Sequence, residues 1–183
     1  ELEFTVTNNN NSLFGAQAQP AISSSNVLTF TSTTNANGSA TVSVVLKDDG
    51  GTANSGDDTY ATQTFTITVN PVDDAPTVEN AIANITVDED ASNTGIDISD
   101  VFDDVDDVNT GIIEAVQSNS NTALVAATIS GDDLTLDYVA DQNGTATITI
   151  RATSNGKTVD DAFVVTVTAV NDEPSFTKGS NVT

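Results

Sequence analysis

Apolar and hydroxyl side chains alternate one by one over much of this chain. In Thr62–Val69 (TQTFTITV), Phe65, Ile67 and Val69 fall on one side, and Thr64, Thr66 and Thr68 on the other. Period two is the signature of a half-buried strand with one wet face. Ala162–Val170 (AFVVTVTAV), Ser39–Leu46 (SATVSVVL) and Thr145–Ala152 (TATITIRA) repeat the pattern, and LTF (28–30) and LTLDY (134–138) add shorter pieces. No stretch shows a 3.6-residue apolar period with caps. Asn-Gly pairs at 37–38 and 143–144 each precede a strand and predict tight corners, because Asn-Gly accepts positive φ. The fold expected is all-β.

The pattern also repeats at long range. Asn37-Gly38 matches Asn143-Gly144, and Ala40-Thr41-Val42 matches Ala146-Thr147-Ile148, both 106 positions apart. Phe65 matches Phe163 and Pro76 matches Pro174, both 98 apart. A longer first-copy loop (47–62, against 152–161) absorbs the difference. The phrases PVDDAP (71–76) and AVNDEP (169–174) are therefore boundaries between modules, each closed by a stiffening proline. Residues 73–171 form one complete module with seven predicted strands: 77–87, 95–99, 110–117, 123–129, 133–139, 145–153 and 160–169. That content suits an immunoglobulin-like Greek-key β-sandwich. Residues 1–72 form an incomplete module lacking about two N-terminal strands. Residues 172–183 read as a linker and the first strand of a following repeat, or as a donor strand. The chain begins inside a strand without Met, which predicts a piece of a longer protein.

Charge narrows the function. Asp and Glu number 27 against four basic residues, for a net charge of -23. Nucleic acid and anionic membranes are disfavoured as partners, because both need clustered Lys and Arg. The apolar runs are too short for a helical membrane span of roughly 20 residues. With no His or Cys, a Ser-His-Asp triad is excluded and zinc is a poor fit. Nothing points to an enzyme.

In a seven-strand sandwich, alternate loops share an end. One end of the second module collects 72–74, DDVDD (103–107) and 158–161. The other collects DED (88–90), ADQN (140–143) and VND (170–172). Each gathers several carboxylates, which repel one another unless a hard cation intervenes. Ca2+ takes six to eight oxygen ligands from carboxylates and from Asn and backbone carbonyls. The candidate ligands are Asp73, Asp74, Asp103, Asp104, Asp106 and Asp161 at the first end, and Glu89, Asp90, Asn171 and Asp172 at the second. The alternative is a solvated acidic surface.

NGTATITIRATSNGKTVDDAFVVTVTAVNDEP (143–174) and ISDVFDDVDD (98–107) resemble the cadherin-like and dystroglycan-type cadherin-like repeats of large bacterial surface adhesins. ANGSATVSVVLKDDGGTANSGDDTYATQTFTITVNPVDDAP (36–76) resembles a sister repeat of those adhesins. The resemblance implies stiff extracellular stalks at the cell surface, many with calcium at their joints. Within it, Asn171-Asp172 matches the Asn-Asp of the D-x-N-D-N linker, Asp104 and Asp106 match the later D-x-D, and Glu89 sits where an acidic residue is common. Asp73-Asp74 replaces the linker's Asn. ADQN replaces the D-R-E triplet, which implies fewer ions per joint.

The function expected is a Ca2+-stiffened stalk or adhesion segment. One rival is a filament subunit in which residues 174–183 fill the gap in another copy. A second is a Ca2+-dependent carbohydrate-binding module using Tyr60. The partners expected are neighbouring repeats or copies of the chain, with a surface glycan or protein as a further candidate.

Overall fold

The structure is a computed structural model that describes residues 2–51, 53, 57–107 and 111–174. The chain divides into two compact units, Glu1–Asp73 and Asp74–Thr183.

The first unit is built on a three-stranded antiparallel sheet in the order β1 (Leu2–Asn8), β4 (Gly38–Asp48), β5 (Gln63–Val69). Register sets Phe4 opposite Leu46, Val6 opposite Val44, and Phe65 opposite Val42. Successive side chains alternate faces, so Ala40, Val42, Val44 and Leu46 lie on one side of β4 with Phe4, Val6, Phe65, Ile67 and Val69. Over that face lie a 3-10 turn (Asn11–Leu13) and two short paired strands, β2 (Ala21–Ile22) and β3 (Leu28–Thr29). Leu13, Phe14, Ala40, Val42 and Ile67 form its buried core. Phe14 meets Phe30 edge to face with ring centroids 5.7 Å apart, a favoured aromatic geometry.

The second unit is a fuller sandwich. One sheet runs β10 (Ile113–Asn119), β13 (Gly144–Ser154), β14 (Lys157–Thr168), β7 (Ile85–Asp88). The other runs β11 (Val125–Ser130), β12 (Asp133–Tyr138), β8 (Thr94–Asp97). β7 runs parallel to β14, with Ile85 beside Val165 and Val87 beside Val167. The core joins Ile148, Ile150, Phe163 and Val165 from the first sheet to Val125, Leu134 and Leu136 from the second, with Ile98 and Phe102 from the connection after β8.

The expected first strand, 77–87, is two strands. β6 (Thr77–Val78) pairs with β9 (Phe102–Asp103), and the chain then crosses over to place β7 beside β14. Glu79 and Asn80 donate their backbone N–H groups to the Val101 carbonyl on the way. β9 falls inside ISDVFDDVDD, between the predicted strands 95–99 and 110–117. Its Phe102 is buried and anchors the loop to the core. Among the described residues no helix is long and apolar enough to cross a membrane.

Candidate metal centre

Three segments meet at one end of the second unit: the turn after β7, the turn after β12, and the chain leaving β14. Asp90 and Asp141 occupy the two turns with φ of 65° and 58°. This left-handed conformation is one that Asp and Asn tolerate better than bulkier residues. The Asp141 backbone N–H donates to Asp90 Oδ1 at 3.1 Å, which locks the turns together. Asp172 arrives from the outgoing chain. One carboxylate oxygen from each of Asp90, Asp141 and Asp172 lies within 4.8 Å of the others, and all three residues are exposed.

Glu89 supports this group from beneath and is itself buried. Its carboxylate accepts the Val170 N–H at 2.6 Å through one oxygen and the Asn143 side-chain amide at 3.3 Å through the other. Both bonds tie the outgoing chain and the Asp141 turn to the end of β7. Asn171 donates its side-chain amide to the Asp172 carbonyl at 3.0 Å, which stiffens the exit. Lost hydration pushes the Asp172 carboxyl above its usual range, and the charges of Asp141, Asp90 and Glu89 push in the same direction. Of the residues expected here, Asp90 and Asp172 come together, while Glu89 and Asn171 hold the frame.

Asp141 was not among the expected ligands. It stands in ADQN, where the sequence shows turn chemistry more plainly than an oxygen donor. The signal available was its place in the fifth-strand loop, at the same end as 88–90 and 170–172.

The opposite end is arranged differently. Asp104 is buried; its Oδ1 accepts the Asp106 N–H at 3.0 Å, while its buried Oδ2 has no hydrogen-bond partner among the described residues. Asp106 Oδ2 accepts the Asp74 N–H at 2.6 Å. Asp103 is exposed and belongs to β9, where its carbonyl accepts the Thr77 hydroxyl. Asp73 is the last residue of the first unit. Asp161 lies inside β14 on the core-facing side, where its buried carboxylate accepts the Ile82 N–H at 2.8 Å. Its partner is thus the β6–β7 crossover. Asp107 binds the Ser154 hydroxyl at 2.8 Å and the Asn155 amide at 2.7 Å.

Both ends offer the hard oxygen donors that Ca2+ prefers. The three carboxylates at one end and the orphaned Asp104 oxygen at the other each suit a divalent cation. A buried carboxylate oxygen without a partner is costly unless something charged satisfies it.

The glycan candidate Tyr60 is 66% exposed. Tyr138 is half-buried, and its hydroxyl shares a 2.8 Å hydrogen bond with the Thr94 hydroxyl.

No protein-family model matches the chain, and no curated protein sequence matches it. Among solved structures, the extracellular cadherin domains 1–4 of protocadherin gamma B7 align over 93% of this chain and 42% of their own, with a TM-score of 0.51 at 14% identity. The fold is cadherin-like. Human protocadherin-24 EC1-2 aligns over 94% of this chain and 83% of its own, with a TM-score of 0.46 at 12% identity. An endo-fucoidan hydrolase from glycoside hydrolase family 107 aligns over 92% of this chain, with a TM-score of 0.42 at 13% identity. The chain spans 24% of that hydrolase and 42% of the protocadherin gamma B7 chain. At such identities the likeness is one of fold.

Proposed function

We propose that the chain is an extracellular stalk or adhesion segment of a repetitive surface protein, non-catalytic, whose repeats are stiffened where they join by bound Ca2+. The observation that carries this reading is the convergence of Asp90, Asp141 and Asp172 at the exit of a complete repeat. Asp172 lies in the outgoing chain, so an ion held by all three ties that chain to the body of the sandwich. Glu89 and Asn171 already restrict the same segment through hydrogen bonds. At the other end, Asp104 would supply its unpartnered oxygen, with Asp106 and Asp103 beside it in the loop and Asp74 in the incoming chain. Asp161 serves as an internal strut and contributes through the crossover it fixes.

The physical logic is charge neutralisation. The net charge of -23 makes the bare joints self-repelling, and a divalent cation converts repulsion into a bridge. The absence of His and Cys and the alternating strand pattern fit a mechanical role better than a catalytic one.

Small-angle scattering tests the stiffening. Millimolar CaCl2 should give a longer, narrower distribution of interatomic distances, and EDTA should reverse it. Identical profiles in Ca2+ and EDTA would remove the stalk mechanism.

A further inference from the structure

The two sheets of the second unit end on β7 and on β8, each an edge strand among the described residues. Between them lies a groove of about 460 Å3, walled by the β6–β7 crossover on one side and by β8 and the connection after it on the other. Its floor is apolar: Ile82, Ile85 and Ile96 are half-buried there and pack on the core. Exposed Asp97 and Asp100 stand at its lip.

The walls are fixed. The Asn80 side-chain amide donates to the Asp100 carbonyl at 2.9 Å, and the Ile82 N–H donates to Asp161 at 2.8 Å. Asn84 Oδ1 accepts the Val164 N–H at 2.8 Å. The crossover is thus pinned at three points, and the groove needs no opening to take a ligand. Asp97 Oδ1 accepts the Ser99 N–H at 3.0 Å. Bonding to Ser99, through its side chain first and its backbone second, holds the Asp97 carboxyl below its usual range, so the lip stays charged at neutral pH.

We infer that this groove docks an extended segment of a partner protein in which arginine or lysine flanks an apolar side chain. The apolar side chain fills the floor over Ile82, Ile85 and Ile96, and the basic groups reach Asp97 and Asp100. An arginine or lysine stem can lie along the isoleucines while its head stays in water, and charged pairs with carboxylate are the strong hydrogen bonds. Charge selects the occupant. The chain has four basic residues and a net charge of -23, so a second copy brings the wrong sign, and its Arg151 already pairs with Asp160. The lining residues include no aromatic ring on which a sugar would stack. The volume is in the usual range for ligand sites, roughly 300–1,000 Å3. The inference is independent of the calcium reading, because none of the proposed ligands lines the groove.

The test titrates the full chain, in CaCl2 and physiological salt, with a short synthetic peptide alternating arginine and valine, and follows backbone and methyl NMR shifts. Saturable shifts confined to residues 80–85 and 96–101 are expected. Exchanging valine for glycine in the peptide should weaken binding at least about tenfold, and so should Asp97→Asn with Asp100→Asn in the chain. Asparagine keeps the acceptor that Asp97 offers Ser99, and Asp100 bonds Asn80 through its backbone, so the walls stay in place. Shifts spread over the acidic surface overturn the proposal, as do equal affinity for the glycine peptide, binding that the double variant leaves unchanged, and no binding at millimolar peptide. Shifts in the groove that grow with chain concentration alone also overturn it, because a second copy is then the occupant.

Discussion

The two units carry matching strand sequences and so come close to an internal control. Ala40 and Val42 are as buried as their counterparts Ala146 and Ile148, at 1% or less. Elsewhere in the two units the match fails: Phe65 in β5 and Phe30 after β3 are 38% and 43% exposed, where Phe163 and Leu136 are buried. The sequences of these strands are alike, so the difference arises from what packs on them. Alternation commits a strand to presenting an apolar face. Whether that face becomes a core depends on the layer above, which β8 and the connection containing Ile98, Val101 and Phe102 complete in the second unit.

The sharpest way to break the comparison is to truncate the paired phenylalanines. Phe163→Ala should destabilise the second unit by about 3–5 kcal/mol, the range for emptying a packed aromatic site. Phe65→Ala should cost the first unit only about 1–2 kcal/mol, because much of that ring already meets water. Denaturant unfolding followed separately in each unit measures both. Equal losses would show that the two faces are equally covered.

Next in size is the internal strut. Asp161→Ala leaves the half-buried Ile82 N–H without its acceptor, which should cost about 1 kcal/mol, the low end of the range for an unsatisfied donor. The loss should appear in the second unit's unfolding midpoint in Ca2+ and in EDTA alike. A loss confined to Ca2+ would instead make Asp161 a metal ligand.

The smallest effect expected is the pH dependence of the apo protein. The Asp172 carboxyl is held above its usual range by lost hydration and by its acidic neighbours. The folded state thus binds this proton more tightly than the unfolded chain does. Its contribution to stability is fully present below the unfolded pKa and is lost as pH rises through the higher folded value. In EDTA, raising pH across that window should lower the melting temperature slightly, and Asp172→Asn should flatten the change. In Ca2+ the sign reverses, because the ion needs the carboxylate that the proton occupies. A wild-type apo profile already flat across this window would contradict the crowding of charge at this end.

Much of the architecture was legible because alternation and self-similarity are local signals. The strands containing Val42, Ile67, Ile148 and Val165 can be read directly, and the Asn-Gly corners separate them. The division of the first strand into β6 and β7 could not be read, because both halves carry β-branched residues and the crossover depends on a distant acceptor, Asp161. The same alternation that marks Phe163 and Val165 as inward also places Asp161 inward, which separates it from the exposed loop carboxylates. The site was legible as a grouping of loops but not as a set of atoms. Asp90 and Asp172 stood in acidic phrases, whereas Asp141 was hidden in a turn whose purpose, bending the chain, was visible first.

The central claim is that the convergent carboxylates at the exit of the second unit hold a divalent cation. Calorimetric titration of the full chain with CaCl2 tests it most directly, with Asp141→Asn alongside. Saturable binding with a Kd of about 0.1–1 mM, typical of extracellular calcium modules, and a clear loss of that binding in Asp141→Asn are predicted. No binding heat through millimolar Ca2+, or binding that Asp141→Asn leaves untouched, would contradict the account.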